Sequence, residues 1–219
     1  MGEAAGVPLL ALTKPAPAGH PRVYLSAGIH GDEPAPPQAL LQLLETGFFD
    51  PRAAWFLCPL LNPGGLIRGT REDPAGRDLN RDYRAPQSPE VRAHVAWLQR
   101  QPGFDLTLSL HEDWEAQGFY LYELNPDGRA SLADAMIAAV RRVCPIETAP
   151  EIDGRPAAAP GIIRPDPDPA KRELWPEAIY LHAHHTRLGY TLESPSVLPL
   201  AQRLAAQAAA VTAALRAAA

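Results

Sequence analysis

Cysteine is nearly absent. Cys58 and Cys144 are the only two in 219 residues, and they lie far apart. That leaves no disulfide framework and no thiolate metal site of the C-x-x-C kind. Cys58 falls inside the apolar stretch 55–61 and reads as a buried strand residue, because a free thiol behaves as a small hydrophobe. Positive charge is scarce as well. Twenty Lys and Arg against 25 Asp and Glu leave a net charge of −5, which offers no electrostatic footprint for nucleic acid or an anionic membrane. No apolar run approaches the roughly 18 residues of a membrane helix. Lys14 follows the short apolar run 7–12 and does not precede it, so that run reads as an edge strand and not as a targeting signal. The expected location is the cytoplasm, with neither nucleic acid nor membrane as partner.

Proline, in contrast, is plentiful. Its 25 copies punctuate the chain and predict short elements joined by many ordered loops. With 46% hydrophobic and 21% charged residues the composition is that of a globular protein. The length suits one large domain or two small ones, and the chain is read as a single domain spanning 1–219. Residues 22–28 read as a buried strand, 34–44 as a helix with Pro near its start, and 53–61 as a second strand. Segment 62–84 is polar and Gly-rich with little periodicity, too long for an idle connection. A Ser-Pro-Glu cap opens a helix over 88–100. Strands follow at 104–110 and 119–124, then an Ala-rich helix at 129–143. Segment 145–176 is Pro-rich, with two readings open: a mobile loop over a site, or an irregular surface segment. A short strand at 190–193 and a helix over 199–219 close the chain. Strands alternating with helices predict an α/β fold with a mixed, mostly parallel central sheet flanked by helices. In such sheets sites form at the carboxyl ends of strands, which singles out 28–33, 62–84, 111–114 and 193–196.

His30 and Glu33 stand at the first of these ends, in G-I-H-G-D-E-P, with Gly31 letting the backbone turn between them. His111 ends the strand D-L-T-L-S-L-H. Two imidazoles and a carboxylate are a donor set of catalytic zinc, which keeps a fourth position for water. Asp32 competes with Glu33 as ligand, or orients an imidazole. Glu193 closes the otherwise apolar strand Y-T-L-E, where burying a charge is costly. It reads as the general base for the attacking water. The loop 62–84 carries Arg68, Arg71, Arg77, Arg81 and Arg84, any of which can meet an oxyanion or fork onto a carboxylate; Arg77 and Arg84 read as solvated charges. His20 and His94 read as structural or exposed. On a strand, His182 and His184 would face one side with His185 beside them, as substrate contacts, surface residues or a second metal site.

The ordered set H-x-x-E (His30, Glu33), G-T-R (Arg71), D-L-N-R (Asn80, Arg81), S-L-H (His111) and T-L-E (Glu193) resembles the M14 metallocarboxypeptidase family. It is similar to the compact bacterial branch that includes murein-tripeptide amidases and grades into succinylglutamate desuccinylases and aspartoacylases. The resemblance runs from Ser26 to Pro195. It implies the α/β sandwich of zinc carboxypeptidases, one zinc per chain on His30, Glu33 and His111, and Glu193 as catalytic base. It implies that Arg71 polarises the scissile carbonyl and that Asn80 and Arg81 grip a terminal carboxylate. The implied enzyme is a zinc hydrolase cleaving an amide next to a free carboxylate, or alternatively an N-acyl-amino-acid deacylase, acting on a small peptide or N-acyl amino acid. The family often has N-P-D-G where this chain has Asn62-Pro63-Gly64-Gly65. Its mobile tyrosine has two candidates here, Tyr180 and Tyr190.

Overall fold

The computed structural model describes residues 1–218. The chain opens with β1 (Gly2–Ala4), β2 (Val7–Leu9) and β3 (Leu12–Lys14). It continues through β4 (Arg22–Ala27), α1 (Ala35–Glu45), β5 (Ala54–Cys58), α2 (Pro63–Arg68), α3 (Pro89–Leu98), β6 (Leu106–Asp113), β7 (Tyr120–Leu124) and α4 (Ala133–Val140). The final third holds β8 (Glu151–Ile152), β9 (Arg155–Pro156), β10 (Ile162–Ile163), α5 (Glu177–His184), β11 (Gly189–Pro195) and α6 (Leu200–Ala218).

Seven strands form one sheet in the order β10-β7-β11-β6-β4-β5-β3. The centre is parallel, with β5, β4, β6 and β11 all running the same way. Antiparallel pairing enters where β7 meets β11 and where β3 meets β5. Side chains alternate across the sheet because successive Cβ atoms point to opposite faces. Leu106, Leu108, Leu110, Tyr190 and Leu192 enter the larger core with α1, α4 and α6. Tyr24 and Cys58 enter a second core on the other face, with Val91, Trp97, Tyr180 and Leu181 of α3 and α5. Both faces are therefore covered, as a parallel centre demands. Among the described residues no helix is long and apolar enough to cross a membrane.

Pro sits in the first turn of α1, α2 and α3, where its missing N–H costs nothing. The Ser88 hydroxyl accepts from Val91 N at 3.2 Å, as the cap signature predicts. Cys58 is a buried strand residue and free.

Several expectations are corrected. The run 7–12 does not form one edge strand: β2 leaves to pair with β1, and only β3 edges the main sheet. Pro8, lacking a donor, suits a two-stranded hairpin better than a shared ladder. Segment 62–84 contains α2 and a 3-10 turn at Leu79–Arg81. The helix expected over 129–143 begins only at Ala133, because the Asn125 side chain bonds both N and O of Arg129 and holds that stretch in a turn. Residues 182–184 are helical, not extended, so His182 and His184 do not share a face. Of the two readings of the Pro-rich segment, the structure favours the one that sets it over a site, with regular structure in it. It folds the β8–β9 hairpin around Asp153 and Gly154, both with positive φ, and adds β10 to the sheet.

Candidate active site

Strand register assembles the site. His111 on β6 pairs with Glu193 on β11, which pairs with Tyr120 on β7. One step lower, Ser109, Thr191 and Tyr122 make a second row. Directly opposed residues share a face, so the polar alternates of three apolar strands floor one cavity of about 340 Å³. The loop after β4 brings His30 and Glu33 to the same cavity, as does segment 62–84 with Arg71, Asn80 and Arg81.

His30, Glu33 and His111 are buried, and one ligand atom from each lies within 4.8 Å of the others. Both rings turn Nδ1 to the Glu33 carboxylate, at 2.5 Å from His30 and 3.0 Å from His111. Burial would raise the Glu33 carboxyl, but His111 and then His30 overcome it and hold it at about 2. Burial likewise disfavours the imidazolium of each ring; Asp78 and Glu33 raise His30 above its usual range, and Glu33 raises His111. His30 Nε2 is buried without a hydrogen-bond partner, 3.3 Å from Asp78 Oδ1 but off the line of a good bond. Two imidazoles and a carboxylate, with an acid behind one ring, form the arrangement of a metal site with its supporting carboxylate. The residues present therefore fit a divalent metal.

The orienting acid is Asp78 and not Asp32, whose side chain is exposed and stands outside the cluster. Burial opposes the ionised form of Asp78, yet His30 and Arg71 hold its carboxyl well below the usual range. Asp78 also accepts from Asn80 N at 2.9 Å and from Arg71 Nε at 3.2 Å. Arg71 Nη1 lies 3.7 Å from Glu33 Oε1, so this guanidinium faces the His30–Glu33–His111 cluster. Asn80 Oδ1 accepts from Glu177 N at 2.8 Å, which ties the loop to the start of α5. Arg81 donates to Asn80 O at 2.9 Å and is otherwise open to the cavity. Burial drives the Glu193 carboxyl well above its usual range; Glu33, Asp113 and Asp153 add to this, and His111 opposes it.

Close packing fixes the loops. A Cβ on Gly31 would lie 2.0 Å from the carbonyl carbon of Gly65 in α2, so the residue is demanded by close approach, and not by the turn expected from the sequence, since its φ is not positive. A Cβ on Gly64 would meet the Pro74 ring at 2.5 Å, which accounts for the Gly at this N-P-G-G position. Behind the site, Glu112 accepts from Ala35 N at the start of α1 (2.8 Å) and from Arg203 of α6 (2.6 Å). Gln207 of α6 donates to the His111 carbonyl at 2.7 Å and to Ser194 Oγ at 3.0 Å.

Other candidates fall away. Tyr180 packs in the second core against Tyr83 and His184. Tyr190 keeps its hydroxyl between Glu123 and Leu132 N, at 3.0 and 2.8 Å. Neither is a free gating phenol. His94 is fully buried between the hydroxyls of Tyr24 and Tyr83, and burial pushes it down to about 3. His20 is exposed. Arg77 lies 3.7 Å from Asp73. Arg84 is not merely solvated, since it binds the carbonyls of Arg172 and Glu173. No metal cluster involves His182, His184 or His185 among the described residues. Asp78, Tyr120, Tyr122, Asp153, Arg155 and Arg172 were not anticipated. Asp78 lay inside the D-L-N-R motif, whereas the tyrosines become legible only through the β7–β11 register.

This fold and site define a class, that of metallopeptidase-like α/β proteins. A metallopeptidase structure from Shewanella amazonensis SB2B matches at a TM-score of 0.85 and 29% identity, covering 99% of this chain and 84% of that one. One from Shewanella baltica OS155 matches at 0.84 and 28%, covering 100% and 84%. Human carboxypeptidase D is 29% identical over 151 residues, which are 52% of this chain and 11% of that protein. The chain thus spans about a tenth of the length of that relative. The family described as Succinylglutamate desuccinylase/Aspartoacylase catalytic domain matches residues 19–219, and the chain belongs to it.

Proposed function

We propose that this chain is a single-domain zinc hydrolase that cleaves an amide bond next to a free carboxylate on a small peptide, as a carboxypeptidase or murein-peptide amidase does. The observation that carries the reading is Glu193 in register with His111, beside the buried His30–Glu33–His111 cluster and in one cavity with Arg71 and Arg81. His30, Glu33 and His111 hold the zinc, which when bound supplies Lewis acidity to water and to the scissile carbonyl. Glu193, its proton affinity raised by burial, takes the proton of the attacking water and delivers it to the leaving nitrogen. Arg71 faces the oxyanion that develops at the carbonyl. With Oδ1 of Asn80 engaged by α5, its amide NH2 is left as a donor beside Arg81, and the two grip the terminal carboxylate.

The family match favours a second reading, an N-acyl-amino-acid deacylase using the same groups. A screen of C-terminal dipeptides, γ-glutamyl-diaminopimelate peptides and N-acyl amino acids separates the two. Each good substrate is paired with its C-terminal amide. The acid is expected to be hydrolysed in strong preference to the amide. Equal hydrolysis of both removes the carboxylate clamp from the reading.

A further inference from the structure

One buried acid takes no part in the reading above. Glu177 opens α5, is 1% exposed and does not line the cavity. A carboxylate out of water needs donors around it. Its Oε1 accepts from the Tyr24 hydroxyl at 2.6 Å, and its Oε2 from the hydroxyls of Ser26 at 2.8 Å and Ser109 at 3.1 Å. Tyr24 and Ser26 stand on β4 and Ser109 on β6, so the side chain pins the first turn of α5 to two central strands. The backbone N–H of the same residue donates to Asn80 Oδ1 at 2.8 Å. Just beyond Asn80, Tyr83 N donates to Trp175 O at 3.3 Å, so the clamp loop runs alongside the entry to α5. The Tyr83 side chain closes a circuit. His94 is neutral, since burial holds its ring down at about 3, and a neutral ring has one N–H to give. The Tyr24 proton goes to Glu177, so His94 Nε2–H donates to the Tyr24 oxygen at 2.8 Å and Nδ1 accepts from the Tyr83 hydroxyl at 2.7 Å. The donors from Tyr83 through His94 and Tyr24 to Glu177 are thus spent in one direction. The clamp loop is tied to Glu177 twice, at Asn80 through the backbone and at Tyr83 through side chains.

We propose that Glu177 is a positioning residue for the carboxylate clamp, holding the start of α5 so that its own backbone N–H fixes the Asn80 amide with the oxygen turned away from substrate. The two ends of an Asn amide have nearly the same shape, so only their partners decide which end faces where. With Oδ1 held by Glu177 N, the NH2 group is the end left for an anion. Reversed, the amide would turn its oxygen to the substrate carboxylate and repel it. Glu177 acts through geometry and not through its charge. A glutamine in its place accepts from Tyr24 through its amide oxygen and donates to the Ser26 and Ser109 hydroxyls through its NH2. The role in substrate binding rests on the clamp assigned under the proposed function, whereas the hold on Asn80 needs no substrate.

Two measurements on the zinc-loaded protein test this. The first is nuclear magnetic resonance of the Asn80 side-chain NH2, identified by its loss in Asn80→Ala. The group is expected to be ordered in the wild type and in Glu177→Gln, and mobile in Glu177→Ala. Tyr24→Phe removes one donor with little change in volume and is expected to loosen Asn80 in the same sense, so it decides the matter if Glu177→Ala does not fold. An Asn80 amide already mobile in the wild type, or as ordered as the wild type in the folded variants, overturns the proposal. So does a Glu177→Gln protein as loose as Glu177→Ala. The second measurement is steady-state kinetics on a good substrate and its C-terminal amide. Glu177→Ala is expected to raise KM for the acid about tenfold, with kcat and the constants for the amide little changed. On top of Asn80→Ala it is expected to add little, because the two act as one unit. Equal losses on acid and amide, or additive effects of the two substitutions, overturn the assignment and make Glu177 a general prop of the site. Acid and amide hydrolysed alike by the wild type, or no hydrolysis at all, sinks the proposed function, while the resonance experiment still decides whether Glu177 holds Asn80.

Discussion

Glu193 draws its chemistry from placement. A half-buried carboxylate in register with a buried imidazole holds a proton more tightly than one at the surface. Glu193→Gln keeps the shape and removes the acceptor. The variant is expected to retain its metal by elemental analysis and to lose about 10²–10⁴-fold in kcat. Near-normal kcat with full metal makes the residue structural. The two loop arginines are expected to separate kinetically. Arg81→Ala removes binding shared by ground and transition states, so the loss falls on KM. Arg71 faces the cluster itself, 3.7 Å from Glu33, and Arg71→Ala is expected to lower kcat by about 10²–10³-fold if it meets charge formed only at the transition state. Steady-state kinetics on one good substrate decides between these assignments, and a pure KM effect at Arg71 refutes its role.

At the scale of elements, the loop that carries His30 and Glu33 is held by backbone pressed against backbone. Gly31 lies where a Cβ would meet α2 at 2.0 Å, whereas Gly69, the left-handed end of α2, has open space around it. The two positions require glycine for different reasons, steric approach at Gly31 and positive φ at Gly69. Gly31→Ala is expected to cost about 1–3 kcal/mol through overpacking and to lose metal with it. Gly69→Ala is expected to cost about 1–2 kcal/mol from the left-handed conformation and to keep the metal. Thermal melts and metal content of the two variants test this. Full metal occupancy in Gly31→Ala would mean that the loop has room to shift. On the far side of the sheet, Gln207 and Arg203 tie α6 to the ends of β6 and β11, so one helix braces both strands of the His111–Glu193 pair.

For the molecule as a whole, the ligand cluster joins segments far apart in sequence, with His30 and Glu33 after β4 and His111 near the end of β6. An ion that binds the folded form alone stabilises it by mass action, about 4 kcal/mol at a thousand times its Kd. Removing metal with a chelator is expected to lower Tm, and adding zinc back to restore it. An unchanged Tm, with metal loss verified, means that the ion removed does not tie these segments together. Double replacement, His30→Ala with His111→Ala, is expected to abolish the response to zinc.

Period-two alternation in D-L-T-L-S-L-H and Y-T-L-E, with H-x-x-E at a strand end, was enough to read the α/β class, the central strands and the residues that meet in the cavity. Those signals are local: hydrophobic period, turn chemistry and donor type are written within a few neighbouring residues. What the tertiary structure alone decided is long-range. Pairing of β11 with β6 and β7 put Tyr120 beside Glu193, a juxtaposition of residues 73 apart that no local pattern encodes. Approach of the 62–84 loop set Asp78, and not Asp32, behind His30. The fold of the Pro-rich segment brought Arg155 and Arg172 to the cavity, where sequence spacing had left only two open readings. The helical state of 182–184 was likewise a matter of context, since His182 is buried in a helix packed on the sheet and the isolated H-A-H-H string fits strand or helix. The reason is common to all four: side chains on a strand or loop acquire neighbours only when another element docks, and docking is governed by cores that span the whole chain.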